Sequence, residues 1–261
     1  MGLGRHIEAT TAREGWRRLS IAVLCLLGVS GVSGAVRAAD GSAVDSEAIW
    51  SQEKRYSQFD EELIIRHFFA DRRGGFFVDV GCSWPDRAST TYYLEKHLGW
   101  RGFGIDALPE YAPAWLKKRP GARFFQFAVS DRSDELVTFY RARHAPNSST
   151  NENLAAVAGK MKAIEVPTIT LTDLLDRNGV EKIDFLSMDI EGSEPKALEG
   201  FEIGRFAPQL VAIEMGYNRE IIADYFARNG YERIDAYIAR DMSNWYFKRA
   251  SGPASGPEGA P

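Results

Sequence analysis

The segment FFVDVGCS, residues Phe76–Ser83, decides the fold of this chain. Its first five residues are apolar except for Asp79, as in a strand that is buried on both faces of a parallel sheet. Gly81 follows the strand, where a glycine lets the backbone pass close to a ligand. The loop then continues CSWPDR, without the second and third glycines of a dinucleotide-binding fingerprint, so a pyrophosphate fits poorly there.

Strands and helices alternate along most of the chain. Apolar runs predict strands at residues 76–80, 102–105, 123–129, 136–141, 183–188, 210–215, 231–237 and 244–248. Helical spacing and capping residues predict helices at 61–70, 88–98, 109–119, 170–178 and 219–229, with another from residue 194 onward. This order predicts an α/β fold with a doubly wound, mostly parallel sheet and an antiparallel pair of strands at one edge. Ligands bind beyond the carboxyl ends of the strands in such sheets.

Polar residues follow the first three predicted strands. Asp79 can receive the amino group of an amino-acid-like ligand, directly or through water. Asp106 lies 27 residues after Asp79 and can accept both ribose hydroxyls of an adenosine moiety. Ser130 and Asp131 follow the third strand, where they can lie beside an adenine. Asp106 and Asp131 also have an ordinary interpretation, as helix caps or turn residues.

A cluster of carboxylates follows the predicted strand at 183–188. Asp189 and Glu191 lie two residues apart at the mouth of the sheet, where such groups are costly unless they bind something. Glu194 has a simpler interpretation, because the helix dipole favours an acidic residue in the first turn of a helix. Glu214 ends the next strand and can join the cluster. Three acidic groups can also hold a divalent cation, an alternative that the sequence leaves open but does not favour.

The N-terminal residues 1–39 have the pattern of a targeting segment. Arg13, Arg17 and Arg18 precede an uncharged run at residues 19–36, and small residues before Ala39 suit signal-peptidase cleavage after Ala38. A secretory leader is the favoured interpretation, with an uncleaved membrane anchor or an upstream start codon as alternatives. The protein is therefore expected to be exported or membrane-anchored, with the side of the membrane undecided.

The remaining segments and the charge limit the classes of partner. Residues 40–55 are predicted to be a linker, residues 56–249 the folded domain, and the Gly- and Pro-rich residues 250–261 a disordered tail. The first 39 residues carry a net charge of +3 within a total of −4, so residues 40–261 carry −7. An acidic body argues against nucleic acid as the main partner.

Cysteine chemistry contributes little to the predicted function. The two cysteines are Cys25, in the predicted leader, and Cys82, so one thiol remains if the leader is removed. Two cysteines and four histidines exclude a Cys/His zinc cluster.

Four motifs in order resemble the FkbM-type methyltransferases. They are FFVDVG at 76–81, YYLEKHLGWRG at 92–102, AVSD at 128–131 and DFLSMDIEGSE at 184–194. The likeness covers roughly Tyr56 to Lys248, and YSQ at 56–58 resembles the start of such domains. The resemblance implies a class I (Rossmann-like) fold that uses S-adenosylmethionine. It also implies O-methylation of a hydroxyl on a sugar, polyketide, glycan or other small-molecule acceptor.

The resemblance also implies roles for the candidate residues. The loop from Asp79 to Ser83, with Gly81 and Cys82 between them, is assigned to the methionine end of the cofactor. Asp106 is assigned to the ribose, and Ser130–Asp131 to the adenine side. Asp189 and Glu191 are assigned to the transfer centre, where either can serve as the base for an alcohol acceptor. Asp189 is also assigned to cofactor binding.

A variable segment supplies further candidates for the acceptor side. His144 is a second-choice base, although a solvated loop histidine is the more ordinary interpretation. Residues 148–153 are candidate contacts with the acceptor.

One departure from the family pattern leaves the function open. The family's first loop commonly continues with a small polar residue and Asp-Gly, whereas this chain has WPDR at residues 84–87. The stiff Trp84 and Pro85 can close over the cofactor, narrow the acceptor pocket, or mark a member that has lost tight cofactor binding. An exported domain would meet little S-adenosylmethionine, so a non-catalytic binding module is an alternative. A nicotinamide-dependent oxidoreductase is a further alternative to a methyltransferase. The acceptor, the need for a metal and the oligomeric state are not determined by these patterns.

Overall fold

The computed structural model describes residues 46–143, 145–157, 162–216 and 218–251. Its helices are α1 Glu61–Phe69, α2 Tyr92–Leu98, α3 Ala112–Lys118, α4 Glu152–Val157, α5 Leu171–Arg177, α6 Glu194–Glu199, α7 Ile203–Phe206 and α8 Arg219–Arg228. Its strands are β1 Phe76–Val80, β2 Arg101–Asp106, β3 Ala122–Gln126, β4 Ala128–Val129, β5 Leu136–Arg141, β6 Lys162–Ile169, β7 Phe185–Met188, β8 Leu210–Glu214, β9 Tyr231–Arg233 and β10 Asn244–Arg249.

Seven strands form the main sheet, in the order β3-β2-β1-β7-β8-β10-β9. The first five are parallel, and β10 runs antiparallel to both β8 and β9. The predicted doubly wound sheet with an antiparallel edge pair is therefore confirmed. In register, Val80 of β1 lies beside both Ile105 and Met188, so the carboxyl ends of β1, β2 and β7 are level. Residues that follow these strands must then meet at one edge.

Helices cover both faces of the main sheet. On one face, Val78, Val80 and Leu186 pack against buried residues of α5, α6 and α8. On the other face, Phe77 and Phe185 pack against buried residues of α1 and α2. This two-sided burial explains why the central strands read as nearly continuous apolar runs in the sequence.

A second, three-stranded sheet has the order β4-β6-β5. The strand predicted at 123–129 is divided at Phe127, so that β3 joins the main sheet and β4 joins the small one. The sequence patterns do not predict β6, which carries Lys162, Glu165 and Pro167, residues that are unfavourable in strands. Pairing with β5 over six residues and with β4 supplies the hydrogen bonds that keep β6 extended.

Several predicted boundaries shift. The helix predicted at 88–98 begins only at Tyr92, and the strand predicted at 231–237 ends at Arg233 and continues as a 3-10 turn. Within the predicted linker, Ser46–Ser51 forms a 3-10 helix whose Ile49 is buried. The predicted leader at 1–39 and residues 252–261 of the predicted tail lie outside the described residues. Within the described ranges, no helix has both the length and the apolarity needed to cross a membrane.

Helix α8 offers a direct test of how the edge of the sheet is stabilised. The Phe226 ring is fully buried and stacks on Phe247 of β10, with ring centroids 4.1 Å apart. We expect Phe226→Ala to lower the free energy of unfolding by about 3–5 kcal/mol, because it leaves a cavity and removes the stacking. Urea unfolding monitored by circular dichroism measures this change. An unaltered m-value would show that the shift in midpoint reports a change in stability.

The matched control lies on the same helix. Ile221 is 56% exposed, so Ile221→Ala should change the free energy of unfolding by no more than about 0.5 kcal/mol. Equal losses for the two variants would mean that the packing of Phe226 does not stabilise this edge.

Candidate active site

The carboxyl ends of β1, β2, β7 and β8 open into a cavity of about 680 Å³. This volume is in the range of small-molecule sites. Its walls include the strand ends, the loop at residues 81–90, the segment that leads into the first turn of α1, residues 127–129 and the loop at residues 145–150. The cavity therefore lies where the sequence patterns predict a ligand.

Gly81 allows two strand-end loops to meet at the floor of the cavity. Its φ is +82°, and a Cβ at this position would lie 1.7 Å from the carbonyl oxygen of Asp189. The Asp189 N–H in turn donates to the carbonyl of Val80 over 2.9 Å. The sequence predicts that the backbone at Gly81 passes close to a ligand. In the structure, the backbone at Gly81 passes close to the backbone that follows β7.

Asp79 is held by a buried network. The Thr91 hydroxyl donates to Asp79 Oδ2 over 2.6 Å, and Arg119 donates to the same hydroxyl over 3.1 Å. Arg119 is itself buried and pairs with Glu95. Burial raises the pKa of Asp79 to about 6, although the Thr91 hydrogen bond and the Arg119 charge favour the ionised form. The carboxyl group is therefore fixed in orientation at the edge of the cavity.

Asp106 joins the loop after β1 to the loop after β2. Its Oδ2 accepts the N–H of Ser83 over 3.0 Å, and its Oδ1 accepts the N–H of Leu108 over 2.9 Å. Burial raises the pKa of Asp106 to about 7, while these two N–H groups oppose that shift. Each carboxylate oxygen keeps a further lone pair for a ligand hydroxyl.

Cys82 both lines the cavity and packs in an apolar cluster with Leu108, Tyr111 and Trp115. Burial raises the pKa of its thiol well above the ordinary value, so the neutral form is favoured. Its contribution to a ligand is therefore contact, rather than charge.

Ser130 and Asp131 do not line the cavity, in contrast to their predicted place beside an adenine. The Ser130 hydroxyl donates to Asp131 Oδ1 over 2.9 Å, and the Ser130 N–H donates to Ile169. The preceding residues line the cavity instead, namely Phe127, Ala128 and Val129. The chain therefore leaves the cavity wall directly after β4, and the predicted place of Ser130 and Asp131 beside an adenine stays a prediction.

Three carboxylates line the cavity at the ends of β7 and β8: Asp189, Glu191 and Glu214. Glu191 has a φ of +54°, so the turn that carries it is strained for a residue with a side chain. The buried Glu194 has a different role, because its Oε1 accepts the N–H groups of Ile190 at 2.9 Å and Gly192 at 3.3 Å. It stabilises the turn that precedes α6, a role that the sequence prediction of a favourable helix-dipole position did not include.

The carboxylates at this edge share protons. Burial, and then the charges of Asp189 and its neighbours, raises the pKa of Glu214 to about 9. The Asp189 side chain is open to the cavity but surrounded by protein, and this raises its pKa despite a hydrogen bond with Glu214. Burial and the charge of Asp189 also raise the pKa of Glu191 to about 7. At neutral pH the Asp189–Glu214 pair therefore holds a proton, and Glu191 titrates close to that pH.

The sequence matches the family model described as "Methyltransferase FkbM domain" over residues 77–241. This chain belongs to the FkbM methyltransferase family. Its sheet has the class I methyltransferase architecture. None of the curated proteins compared with the chain matches it significantly.

Solved structures with a similar fold are distant in sequence. A TehB-like SAM-dependent methyltransferase from Corynebacterium glutamicum is 14% identical, with 78% of this chain and 92% of that chain covered and a TM-score of 0.44. TYW2 of M. jannaschii in complex with AdoMet is 15% identical, with 76% and 79% covered and a TM-score of 0.34. At these values the likeness carries no argument about function.

The FkbM domain contains one acidic cluster with spacing suited to a metal ion among the described residues. Carboxylate oxygens of Asp189, Glu194 and Glu214 lie within 4.8 Å of one another. Glu194 Oε1 already accepts the backbone N–H groups of Ile190 and Gly192. One of the three carboxylates therefore already serves the backbone of the turn that precedes α6.

The loop at 145–150 is tied to the turn after β7. Ser148 and Thr150 line the cavity, and a contact with an acceptor stays a prediction for them. Ser149 donates to the carbonyl of Glu191 over 2.7 Å, and the Thr150 and Ser193 hydroxyls lie 2.6 Å apart. His144, the second-choice base, lies outside the described residues.

Sequence patterns did not identify Glu61 as a cavity residue. It lies in the first turn of α1, is 5% exposed and lines the cavity. Burial and the charge of Asp241 raise its pKa to about 7. The likeness of residues 56–58 to other FkbM domains was the available signal, but no local pattern shows that the start of α1 faces the sheet edge.

The raised pKa of Glu214 predicts a pH-dependent stability for the ligand-free FkbM domain. A carboxyl whose folded pKa is about 9 stays protonated above the pH at which it ionises in the unfolded chain. Its contribution to folding is therefore fully present below about pH 4.5 and is lost as the pH rises toward 9. We expect Glu214→Gln to unfold at a higher urea concentration than the wild type at pH 8. The two proteins should be nearly equal at pH 5, and parallel profiles from pH 5 to 9 would contradict the shift.

Proposed function

We propose that this protein is an S-adenosylmethionine-dependent O-methyltransferase that acts on a hydroxyl group of a sugar or another small-molecule acceptor. The observation that carries the proposal is the carboxylate-lined cavity at the carboxyl ends of the parallel strands. Membership in the FkbM family supports methyl transfer, and the cavity residues support the choice of cofactor and of acceptor chemistry.

The charges around the cavity fit a cationic cofactor. Among the described residues, its titratable acidic side chains are Glu61, Asp79, Asp106, Asp189, Glu191 and Glu214. Arg87 is the one Lys or Arg side chain in that lining. S-adenosylmethionine carries a net positive charge, whereas a nicotinamide dinucleotide carries a pyrophosphate that these groups would repel. Together with the missing glycines of the first loop, this argues against the oxidoreductase alternative.

The residues present provide for each part of that cofactor. Asp106 has free lone pairs for the ribose hydroxyls, and the apolar Phe127, Ala128 and Val129 suit the adenine. Asp79 suits the amino group. Trp84 packs edge-to-face on Tyr111 with centroids 5.1 Å apart and lines the cavity without filling it, which argues against a domain that has lost cofactor binding.

Bound in this cavity, the cofactor would supply a methyl group on a sulfonium. The protein's part is then to align an acceptor hydroxyl and to remove its proton. Alignment is worth on the order of 7–11 kcal/mol in well-oriented reactions. Asp189 and Glu191 line the cavity near the loop at 145–150 and are the candidate bases. A pKa of about 7 suits Glu191 to accept a proton near neutral pH.

Cofactor choice is tested by calorimetric titration. We expect the wild type to bind S-adenosylmethionine and to show no heat of binding with NAD. Asp106→Asn should weaken the affinity for S-adenosylmethionine by about ten-fold or more, because the amide loses charge-assisted hydrogen bonds to the ribose. Failure of the wild type to bind S-adenosylmethionine would remove the proposal.

The base is tested by separating binding from turnover. With labelled S-adenosylmethionine and a panel of saccharide and small-molecule alcohols, we expect Asp189→Asn or Glu191→Gln to lower kcat by roughly 10²–10⁴-fold. The variant that loses turnover identifies the base, and it should still bind the cofactor in a separate titration. The variant at the other carboxylate should retain most of its turnover. If both variants turn over at the wild-type rate, neither carboxylate acts as the base.

A further inference from the structure

We propose that Arg87 binds the carboxylate at the methionyl end of the cofactor, an assignment that rests on the proposed function. The family pattern does not supply this residue. It belongs to the segment WPDR, where the chain departs from that pattern.

The loop that carries Arg87 is held rigidly. Ser83 and Ala88, at φ of +41° and +48°, stand on either side of residues 84–87. The indole of Trp115 donates to the Ser83 carbonyl over 2.8 Å, and Arg119 donates to the Pro85 carbonyl over 3.0 Å. These buried donors fix the path of the loop before a ligand binds. The loop therefore loses less conformational entropy on binding.

Within this loop, the Arg87 guanidinium lies over the Trp84 ring, with its central carbon 4.2 Å from the ring centroid. Trp84 is in turn supported by Tyr111. The neighbouring carboxylate, Asp86, pairs with Lys118 over 2.5 Å. Among the residues that the structure describes, Arg87 makes no salt bridge. The stack therefore orients a cation while leaving its hydrogen-bond donors for a ligand.

The acidic lining of the cavity leaves the carboxylate of the cofactor in need of a cation, and Arg87 can supply it. The methionyl end carries an ammonium and a carboxylate, and the ammonium is served by the acidic lining. The carboxylate would be repelled by the same lining unless a cation faces it. Arg87 supplies this cation from the loop that directly follows Asp79–Ser83, which is the part assigned to the methionyl end. A planar guanidinium can also donate two parallel hydrogen bonds to a carboxylate.

The test compares two ligands that differ only in this group. Wild type, Arg87→Gln and Arg87→Lys are titrated by calorimetry with S-adenosylmethionine and with decarboxylated S-adenosylmethionine. We expect Arg87→Gln to weaken S-adenosylmethionine by about ten-fold or more and the decarboxylated ligand by less than about three-fold. Arg87→Lys should recover part of the loss, because it restores the charge but not the paired donors.

Arg123→Gln is the matched control. Arg123 also lies over an aromatic ring, with its guanidinium carbon 4.8 Å from the centroid of Phe125, but it does not line the cavity. This variant should bind both ligands as the wild type does.

Two outcomes would overturn the assignment while leaving the proposed function intact. Equal weakening of both ligands by Arg87→Gln would mean that Arg87 supports the loop and not the carboxylate. An unchanged affinity for S-adenosylmethionine, with a raised KM for the acceptor, would assign the cation to an acidic acceptor. A wild-type protein that binds neither ligand would instead overturn the proposed function together with this assignment.

Discussion

The contact between Gly81 and the backbone of Asp189 is the constraint on which the cavity depends. β1 and β7 run in parallel with Val80 opposite Met188, so the chain leaves both strands at the same edge. The Asp189 carbonyl occupies the space where any Cβ at residue 81 would stand. A side chain there would force the two loops apart. Because Asp79 precedes one loop and Asp189 begins the other, their separation is set by this single approach.

A second constraint is the cost of the carboxylates that this geometry brings together. Burial, and then the repulsion between like charges, raises the pKa values of Asp189, Glu191 and Glu214. Hydrogen bonds to Glu194 and a proton between Asp189 and Glu214 reduce the cost but do not remove it. A cationic ligand lowers the same cost, so stability, pH and the choice of cofactor are physically linked in this domain.

Local sequence predicted several elements almost to the residue. The strand at Phe76–Val80 has the predicted bounds, and Glu61–Phe69 and Leu136–Arg141 lie within a residue of theirs. The failures have a common cause. β6 is a strand only because β5 and β4 pair with it, and the strand predicted at 123–129 is divided because β4 pairs with β6. Hydrogen bonds between distant segments decide such cases, and no local propensity records them.

The sequence by itself determined the alternation of strands and helices, and the acidic residues at strand ends. It did so because apolar periodicity and strand-terminal position are local properties. Only the tertiary structure decided which of those residues share a cavity. Glu61 and Arg87 enter it from segments that are distant from the strand ends or irregular, whereas Glu194 turns inward to bind its own backbone. The directions of these side chains follow from long-range packing and, for Arg87, from the hydrogen bonds that Trp115 and Arg119 donate to its loop. These contacts exist only once the chain has folded.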